Sequence, residues 1–274
     1  TGSGAAIGTK ICNVSMYGTE NSVFTELPFV SGDGSGSNPF LISTYTQLMN
    51  IDRVYKGTGF MNNVTFMLEN DIVIPQSATV PFRGRLAADT YTVDENRLDM
   101  GFTGTFIGDG YGIYNLAVIS EEDYTGLFSK IGSGGRVEDL YLSGQIQSES
   151  ASYVGMLAGY VEGADIENVK IVSYYGGNTY ENMVVGDIYV GGLVGYITGT
   201  SDADTASIAF DTAGNSRDYV IDGMIVIANT GGEYDNSSKE YRGGAGGIAG
   251  AVGPFASVTG AVYSADQPDF GSVQ

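Results

Sequence analysis

The chain has 274 residues, of which 32 are acidic and 12 are basic, so its formal net charge is −20. A surface this acidic repels phosphates and anionic lipids, which excludes nucleic acid as an expected partner. With 42% hydrophobic residues and no histidine, the chain can bury a core but lacks the imidazole that Ser-His-Asp catalysis, Cys-His catalysis and histidine metal sites require.

The first 38 residues (1–38) are predicted to form an extended leader. Two β-prone runs within or at the end of it, Lys10–Tyr17 and Ser22–Val30, can add a strand to an open sheet edge, either of a neighbouring subunit or of this chain as a cap. Cys12 is the only cysteine, so no disulfide can form within the chain. It is either a buried free thiol or a partner in a disulfide between chains.

A short helix is predicted over Pro39–Ile51. Either Ser43 or Thr44 can cap its first turn, because a hydroxyl oxygen accepts a hydrogen bond from a free N–H there. Leu48 and Ile51 have the i, i+3 spacing of an apolar stripe on one helix face. No segment of the chain approaches the roughly 18 apolar residues of a membrane-spanning helix, so no membrane span is expected.

Two strand-like segments follow the helix. Val64–Ile74 is predicted to be a strand that is interrupted near Glu69–Asp71. Met100–Ser120 contains two alternating runs separated by a Gly-Asp-Gly turn, which is typical of a hairpin-like or corner-turning unit. Both segments favour β structure in this part of the chain.

From Tyr124 onward the chain repeats the phrase Tyr-x-Gly-x-Leu-x-Gly. Further copies begin at Tyr153 and Tyr189, 29 and 36 residues later, and a looser copy begins at Gly243. A repeat of tens of residues is typical of solenoids, in which each unit buries its apolar face against its neighbours. One inward ladder is predicted to contain the large apolar residue of each copy: Leu127, Leu157, Leu193 and Ile248.

These patterns predict an all-β domain over residues 39–274. Its architecture is expected to be a parallel β-helix-like solenoid with one short N-terminal helix and an extended N-terminal leader strand. The polar, turn-rich insertion near residues 198–215 is predicted to form a loop on one face, as insertions into repeats commonly do.

Gly192–Gly195 reads Gly-Leu-Val-Gly, Leu157–Gly159 and Ile248–Gly250 keep the second half of this motif, and Gly126–Ser129 loses its last glycine. At these residues the chain resembles the GLUG-motif family of prokaryotic cell-surface proteins. Segments upstream also match those that precede such repeats, so the resemblance covers about residues 38–262. It implies a β-solenoid of GLUG-type repeats and a place among adhesins, protease-associated modules and other exoproteins.

Carboxylates are the remaining candidates for catalysis. A polysaccharide hydrolase or lyase on a β-helix needs only two carboxyl groups at a suitable separation, which makes this class the alternative function. The structural interpretation, solvated acidic residues in loops, is favoured, so no catalytic residue is assigned and the chain is predicted not to be an enzyme. The candidates are Glu121, Glu122, Asp123, Asp202 and Asp204.

No cofactor is expected, with calcium as the one candidate ion. Its ligands would be Asp33, in a turn that resembles the start of a calcium loop but lacks the distal acidic ligand, together with Asp202 and Asp204. Three Asn-x-Ser/Thr sequences permit glycosylation outside the cell. They begin at Asn13, Asn63 and Asn236.

The sequence favours a non-catalytic structural or adhesive protein that is extracellular or on the cell surface. It is predicted to be a self-assembling filament subunit, hence a homo-oligomer, or an adhesin module, with the leader donating a strand to a neighbour. A glycan or another cell-surface partner is an open alternative, because Tyr141, Tyr174 and Tyr175 could offer aromatic rings to a sugar. Packing between neighbouring strands accounts for these tyrosines equally well.

Overall fold

The computed structural model of the chain describes residues 29–58, 64–75, 84–87, 101–211, 221–229, 233–235, 240–242 and 244–260. Within these ranges the chain is mostly β-strand, its long sheets are parallel, and one helix is present. The predictions for Cys12, the Lys10–Tyr17 run and all three glycosylation sites (Asn13, Asn63 and Asn236) lie outside the described residues.

The described strands are short. In chain order, the first twelve are β1 (Phe40–Ile42), β2 (Thr65–Leu68), β3 (Ile72–Val73), β4 (Thr105–Ile107), β5 (Gly112–Ile119), β6 (Phe128–Ile131), β7 (Arg136–Glu138), β8 (Tyr141–Gln147), β9 (Tyr153–Gly155), β10 (Ala158–Glu162), β11 (Asp165–Glu167) and β12 (Lys170–Ile171). The others are β13 (Tyr174–Tyr175), β14 (Asn178–Thr179), β15 (Asn182–Gly186), β16 (Tyr189–Gly191), β17 (Val194–Thr198), β18 (Ala206–Ala209), β19 (Met224–Ala228), β20 (Glu233–Asp235), β21 (Glu240–Arg242), β22 (Gly244–Gly246), β23 (Ala249–Val252) and β24 (Ala256–Thr259).

Four parallel sheets contain most of these strands, and in each sheet the strands follow chain order. Sheet 1 has the order β1-β2-β4-β7-β11-β18-β24, and sheet 2 has β3-β5-β8-β15-β19 with β12 also paired to β8. Sheet 3 has the order β6-β10-β17-β23, and sheet 4 has β9-β16-β22. From β6 onward the chain passes through sheets 3, 1, 2 and 4 in turn and then returns to sheet 3.

The predicted apolar ladder is confirmed. β6, β10, β17 and β23 pair in a register that places Leu127, Leu157, Leu193 and Ile248 at equivalent positions. The first three are fully buried and the last is 7% exposed. Neighbouring turns are joined by backbone hydrogen bonds at the same level, because the Leu157 N–H donates to the Leu193 oxygen and the Leu193 N–H donates to the Ile248 oxygen, both at 2.9 Å.

The predicted helix exists, but its predicted bounds, Pro39–Ile51, are wrong. Phe40–Ile42 forms strand β1 and pairs with β2, while the helix α1 spans Tyr45–Thr58. Thr44 is the cap, since its hydroxyl accepts a hydrogen bond from the Gln47 N–H at 3.2 Å. Among the described residues, no helix is long and apolar enough to cross a bilayer.

The apolar stripe of α1 is confirmed, because Leu48 and Ile51 are both fully buried. The prediction failed at the N-terminal end of the helix. Phe40–Ile42 alternates between buried and half-buried residues, which is a strand pattern, and the helical spacing of apolar residues begins only after the cap at Thr44.

The two strand-like segments adopt the predicted local structure. Val64–Ile74 contains β2 and β3 with a break at Glu69–Asp71, as expected. The described part of the second segment, residues 101–120, turns a corner rather than forming a hairpin, because β4 belongs to sheet 1 and β5 to sheet 2.

The polar segment near 198–215 is described as far as residue 211, and there the prediction of a plain loop is wrong. After a turn at residues 200–204, Ala206–Ala209 forms β18 as an inner strand of sheet 1, between β11 and the last strand, β24. Ala206 and Ile208 alternate with outward residues and are 1% and 0% exposed. A short Ala-Ser-Ile-Ala run is sufficient for a strand here because its two inward positions continue an existing apolar ladder.

Candidate interaction surface

A stack of tyrosines runs along the outer surface beside sheet 4. Tyr124, Tyr153 and Tyr189 each begin a copy of the repeated phrase, and the last two are register partners in β9 and β16. The ring centroids of Tyr124 and Tyr153 are 4.9 Å apart with planes inclined by 10°, and those of Tyr153 and Tyr189 are 4.8 Å apart with planes inclined by 14°. The spacing equals the distance between neighbouring strands, so the repeat itself produces the stack.

A second, shorter stack packs against the first. Tyr160 and Tyr196 are register partners in β10 and β17, and their ring centroids lie 5.4 Å apart. They meet the first stack edge to face, with Tyr153 and Tyr160 at 5.6 Å and 79° and Tyr189 and Tyr196 at 5.4 Å and 71°. This arrangement suits the quadrupoles of the rings. We call the five residues Tyr124, Tyr153, Tyr160, Tyr189 and Tyr196 the tyrosine ladder.

Two phenols of the tyrosine ladder, those of Tyr153 and Tyr160, have raised pKa values. Burial raises the pKa of Tyr153 to about 12, and the neighbouring phenols of Tyr124 and Tyr189 add to the shift. Burial also raises the pKa of Tyr160, with the carboxylate of Glu162 as the next cause. Burial therefore favours the neutral form of these two hydroxyl groups. Within each stack the ring faces cover one another, so the ladder presents mainly ring edges.

A lysine and a glutamate frame this ladder. Lys130 lies with its Nζ atom 5.2 Å from the centre of the Tyr160 ring and 2.6 Å from Glu162 Oε2. The ammonium group therefore contacts a ring face and a carboxylate at the same time. Lys130 thus compensates the negative charge of Glu162 beside the aromatic surface.

The tyrosines predicted as glycan contacts lie elsewhere, on and beside sheet 2. Tyr175 stacks on Tyr114 with the ring centroids 3.8 Å apart and donates a hydrogen bond from its hydroxyl to Asp71. Tyr141 is half-buried, whereas the Tyr174 side chain is 65% exposed. The structure therefore leaves Tyr174 with the most accessible ring of the three predicted residues.

The three acidic residues before the first repeat bind three different partners. Glu121 accepts a hydrogen bond from the Ser150 hydroxyl at 2.6 Å, and Asp123 accepts one from the Ser152 N–H at 2.7 Å. Glu122 forms an ion pair with Arg85. The structure does not bring these carboxylates to one shared partner. Instead, Glu121 and Asp123 link the segment before the first copy of the repeat to the segment before the second copy.

The calcium candidates occupy two turns. Asp33 accepts a hydrogen bond from the Ser35 N–H at 3.0 Å, which closes a local turn. The carboxylate of Asp204 accepts hydrogen bonds from the hydroxyls of Thr200 at 2.6 Å and Ser133 at 2.9 Å, and Asp202 is exposed. In the part of the chain that the structure describes, no group of three or more His, Cys, Asp or Glu residues is arranged to hold a metal ion.

Sequence reasoning missed Tyr160 and Tyr196, although a signal for them was present. The copies that begin at Tyr153 and Tyr189 both end in Gly-Tyr, seven residues after their first tyrosine. Two aromatic residues at a fixed offset in successive repeats predict two parallel stacks, because equivalent positions of stacked strands align.

Comparisons with known proteins give partial similarities. No family model matches the chain. It is 30% identical over 165 residues to halomucin of Haloquadratum walsbyi, which covers 60% of this chain and 2% of that protein. It is 34% identical over 146 residues to a "Putative Gly-rich membrane protein" of Evansella cellulosilytica, which covers 52% of this chain and 15% of that protein. The chain spans only a small part of either relative.

One solved structure is also similar. It is the crystal structure of a "putative immunoglobulin A1 protease" from Bacteroides ovatus, with 19% identity and a TM-score of 0.48 over 85% of this chain and 67% of that one. At this TM-score the likeness supports no argument about fold or function.

Proposed function

We propose that the chain is a non-catalytic structural or adhesive segment of an extracellular or cell-surface protein, and that it self-assembles as a filament subunit or serves as an adhesin module. The observation that carries this proposal is the register of the repeated phrase in sheets 3 and 4. Its glycines and leucines build walls and core, and its tyrosines form a continuous outer ladder. A regular, extended surface suits adhesion or assembly better than chemistry at one cleft.

The architecture that we propose is a β-solenoid of GLUG-type repeats. The chain order of the strands within every parallel sheet supports it, as does the return of the chain to sheet 3 after each passage through sheets 1, 2 and 4. In such a fold the coils stack at about 4.8 Å, the spacing of hydrogen-bonded strands. The tyrosine stacks at 4.8 and 4.9 Å agree with this repeat.

Placement outside the cell or at its surface is supported by the relatives, whose names refer to a mucin and to a membrane protein. The acidic composition also suits a protein that stays soluble at high exposure to solvent and salts. Glycosylation at Asn13, Asn63 or Asn236 belongs to the same proposal, because it requires a compartment outside the cytosol.

The proposed route of assembly is donation of the leader to a neighbouring copy. Among the described residues, β19, β22, β23 and β24 are the last strands of their sheets, and each pairs with a strand on one side. At this end Val252 is 51% exposed, although its register partner Ile197 in β17 is fully buried, and Phe255 is 46% exposed. An added strand would cover such an edge.

The described end of the leader has a different role. The Val30 N–H donates to the Leu41 oxygen at 2.9 Å, and the Phe29 ring stacks on Phe40 with centroids 4.7 Å apart. Residues 29 and 30 therefore cap the chain's own first strand. Only the part of the leader before them is proposed to reach a neighbour.

Electron microscopy of the purified chain tests the proposal. We expect filaments or end-to-end oligomers that are lost when residues 1–20 are deleted. A sharper pair of variants uses the strand alternation of the Lys10–Tyr17 run. Val14→Asp with Met16→Asp places two charges on its apolar face, whereas Asn13→Asp with Ser15→Asp places the same charges on its polar face.

The first pair should abolish assembly and the control pair should preserve it. Assembly that survives both the deletion and the Val14/Met16 pair would overturn leader donation. Release of reducing ends from a panel of polysaccharides, lost on Glu122→Gln or Asp202→Asn substitution, would instead establish the enzyme alternative and overturn the non-catalytic proposal.

A further inference from the structure

The outer face of sheet 2 is unusually apolar. Ile119 is 78% exposed, and Val73, Ile225 and Ile227 are 49%, 47% and 42% exposed. These four residues account for nearly half of the nine large hydrophobic side chains that are exposed among the described residues. Clustered exposed apolar residues on one face are typical of a binding surface, whereas scattered ones are not.

The strand register places eight outward residues of this sheet in two adjacent rows. One row crosses β5, β8, β15 and β19 at Ala117, Gln145, Met183 and Ile225. The other crosses the same strands at Ile119, Gln147, Val185 and Ile227. We call these eight residues the uncharged face, because none of them is ionisable.

The outer face of sheet 1, by contrast, is charged. Its outward positions on the neighbouring strands β7 and β11 carry Arg136, Glu138, Asp165 and Glu167. On a chain with a net charge of −20, the centre of an uncharged face of two rows by four strands lets a second copy approach with carboxylates only at the rim.

The uncharged face also satisfies its own polar groups. Gln147 donates a hydrogen bond from its side-chain nitrogen to the side-chain oxygen of Gln145 at 3.2 Å. Gln145 in turn lies 3.5 Å from the carboxylate of Glu181, which stands at the rim. An apolar centre with a polar, acidic rim is the usual anatomy of a protein interface.

We propose that two copies of this chain pack against each other through the uncharged face, in a two-fold symmetric contact of sheet on sheet. This inference rests on the proposed self-assembly and names a lateral contact for it, separate from the leader. The two sheets would lie about 10 Å apart, with Ile119, Ile225 and Ile227 of each copy filling the space between them.

The size of the face sets the strength of the contact. Four strands at about 4.8 Å spacing and four residues at about 3.3 Å rise give roughly 250 Å² per copy. A stable pair of proteins buries about 800 Å² per partner. A single contact is therefore weak and needs high protein concentration to form. It gains further strength when copies arranged in a row engage together, since linked weak contacts act at high effective concentration.

The acidic rim determines the salt dependence. Glu181 of one copy approaches carboxylates of the other, and salt shortens the range of this repulsion from about 30 Å at 0.01 M to about 3 Å at 1 M. Because salt does not weaken apolar contact, the association should become stronger as the salt concentration rises.

Sedimentation equilibrium of the whole chain, with the Val14→Asp/Met16→Asp background to remove end contacts, tests the inference at protein concentrations up to about 1 mM. We expect a monomer–dimer equilibrium that tightens between low salt and about 1 M NaCl. Ile227→Glu should lower the association constant at least tenfold. The matched control is Ser257→Glu, which adds the same charge at an exposed outward position of β24 in sheet 1 and should change it less than twofold.

A neutral variant tests whether misfolding caused by the added charge, rather than loss of the contact, weakens the dimer. Ile119→Gln adds no charge at the most exposed position of the face and should also weaken the dimer, with an unchanged circular dichroism spectrum. A strictly monomeric protein at 1 M NaCl, or equal association constants for Ile227→Glu and Ser257→Glu, would overturn the lateral contact. Filaments that dissolve with the leader variants but ignore the face variants would leave the proposed function standing without it.

Discussion

The backbone N–H of Gly144 donates a hydrogen bond to the side-chain oxygen of Asn182 across 2.9 Å, inside the fold. The side-chain nitrogen of Asn182 donates to the backbone oxygens of Val172 and Asp222, both at 3.0 Å. Asn182 is fully buried, so one amide side chain satisfies three backbone groups from three segments of the chain. Buried backbone groups need such partners because a lost hydrogen bond there is not replaced by water.

Replacement of Asn182 by alanine should therefore destabilise the protein strongly. The substitution removes three hydrogen bonds and leaves buried backbone groups without partners, for a loss of about 3 kcal/mol or more in the free energy of unfolding. Urea denaturation followed by circular dichroism measures it. Asn178→Ala, at an exposed position of the β13–β14 hairpin, should cost less than about 0.5 kcal/mol. Similar losses in the two variants would contradict the role of Asn182.

Glycine in the repeated phrase is required by close backbone approach. A Cβ atom on Gly195 would lie 2.5 Å from the Gly159 oxygen and 2.6 Å from the Val154 nitrogen, both in the preceding turn. Gly247 occupies the looser copy, where a Cβ atom would meet no other atom within 4 Å. Substitutions at Gly195 and Gly247 therefore test whether glycine is required where the neighbouring backbone leaves no room for a side chain.

Gly195→Ala should reduce the free energy of unfolding by about 2–3 kcal/mol, because the sheets must separate locally to admit the methyl group. Gly247→Ala should be neutral or slightly stabilising, since it lowers the entropy of the unfolded chain without a clash. Chemical denaturation of both variants gives the comparison. A Gly195→Ala protein as stable as the Gly247→Ala protein would show that the neighbouring strands yield without cost.

The apolar ladder and the break at Glu69–Asp71 could be predicted from the sequence, because alternation and turn residues carry that information locally. The start of α1 and the strand β18 could not. Phe40–Ile42 and Ala206–Ala209 become strands because β2, β11 and β24 offer them partners and apolar ladders to extend, and such long-range pairing leaves little trace in three or four residues.

The candidate site was predictable only in part. The first tyrosine of each copy stood out as part of the repeated phrase, whereas the partners Tyr160 and Tyr196 follow the glycine that closes it. The partners of Glu121, Glu122 and Asp123 were not predictable, because they lie in different turns and are chosen by the stacking of those turns. Residue type alone made these carboxylates look like a cluster.

The tyrosine ladder predicts a loss of stability in alkaline solution. The pKa of Tyr153 is raised from 10.0 to about 12 by burial and by its neighbours. The unfolded chain therefore releases this proton at a lower pH than the folded chain, so the stabilisation is complete below pH 10 and is lost as the pH rises to about 12.

Tyr153→Phe keeps the stacked ring but removes the titrating group. The difference in free energy of unfolding between this variant and the parent should be constant below about pH 9 and should change in favour of phenylalanine between about pH 10 and 12. Denaturant titrations at several pH values measure it. A difference that stays constant to pH 12 would show that Tyr153 titrates equally in both states.

Salt should act on the paired carboxylates of sheet 1. Glu138 and Glu167 are register partners in β7 and β11, and Arg136 binds both, with each N–O distance at 2.6 Å. Hydrogen bonding to Glu138 is the main cause of the raised pKa of Arg136. Because all three side chains are partly exposed, each ion pair contributes at most about 1 kcal/mol.

Arg136→Gln should therefore be destabilising by about 1–2 kcal/mol at low salt, because it removes two ion pairs and leaves two like charges side by side. At about 1 M NaCl the loss should fall to less than half, since salt screens the repulsion. The matched control is the triple variant Arg136→Gln/Glu138→Gln/Glu167→Gln, which removes the repulsion with the pairs and should be insensitive to salt at this site. Urea denaturation at both salt concentrations checks this, and an equal loss for Arg136→Gln at low and high salt would show that its side chain contributes by packing rather than by charge.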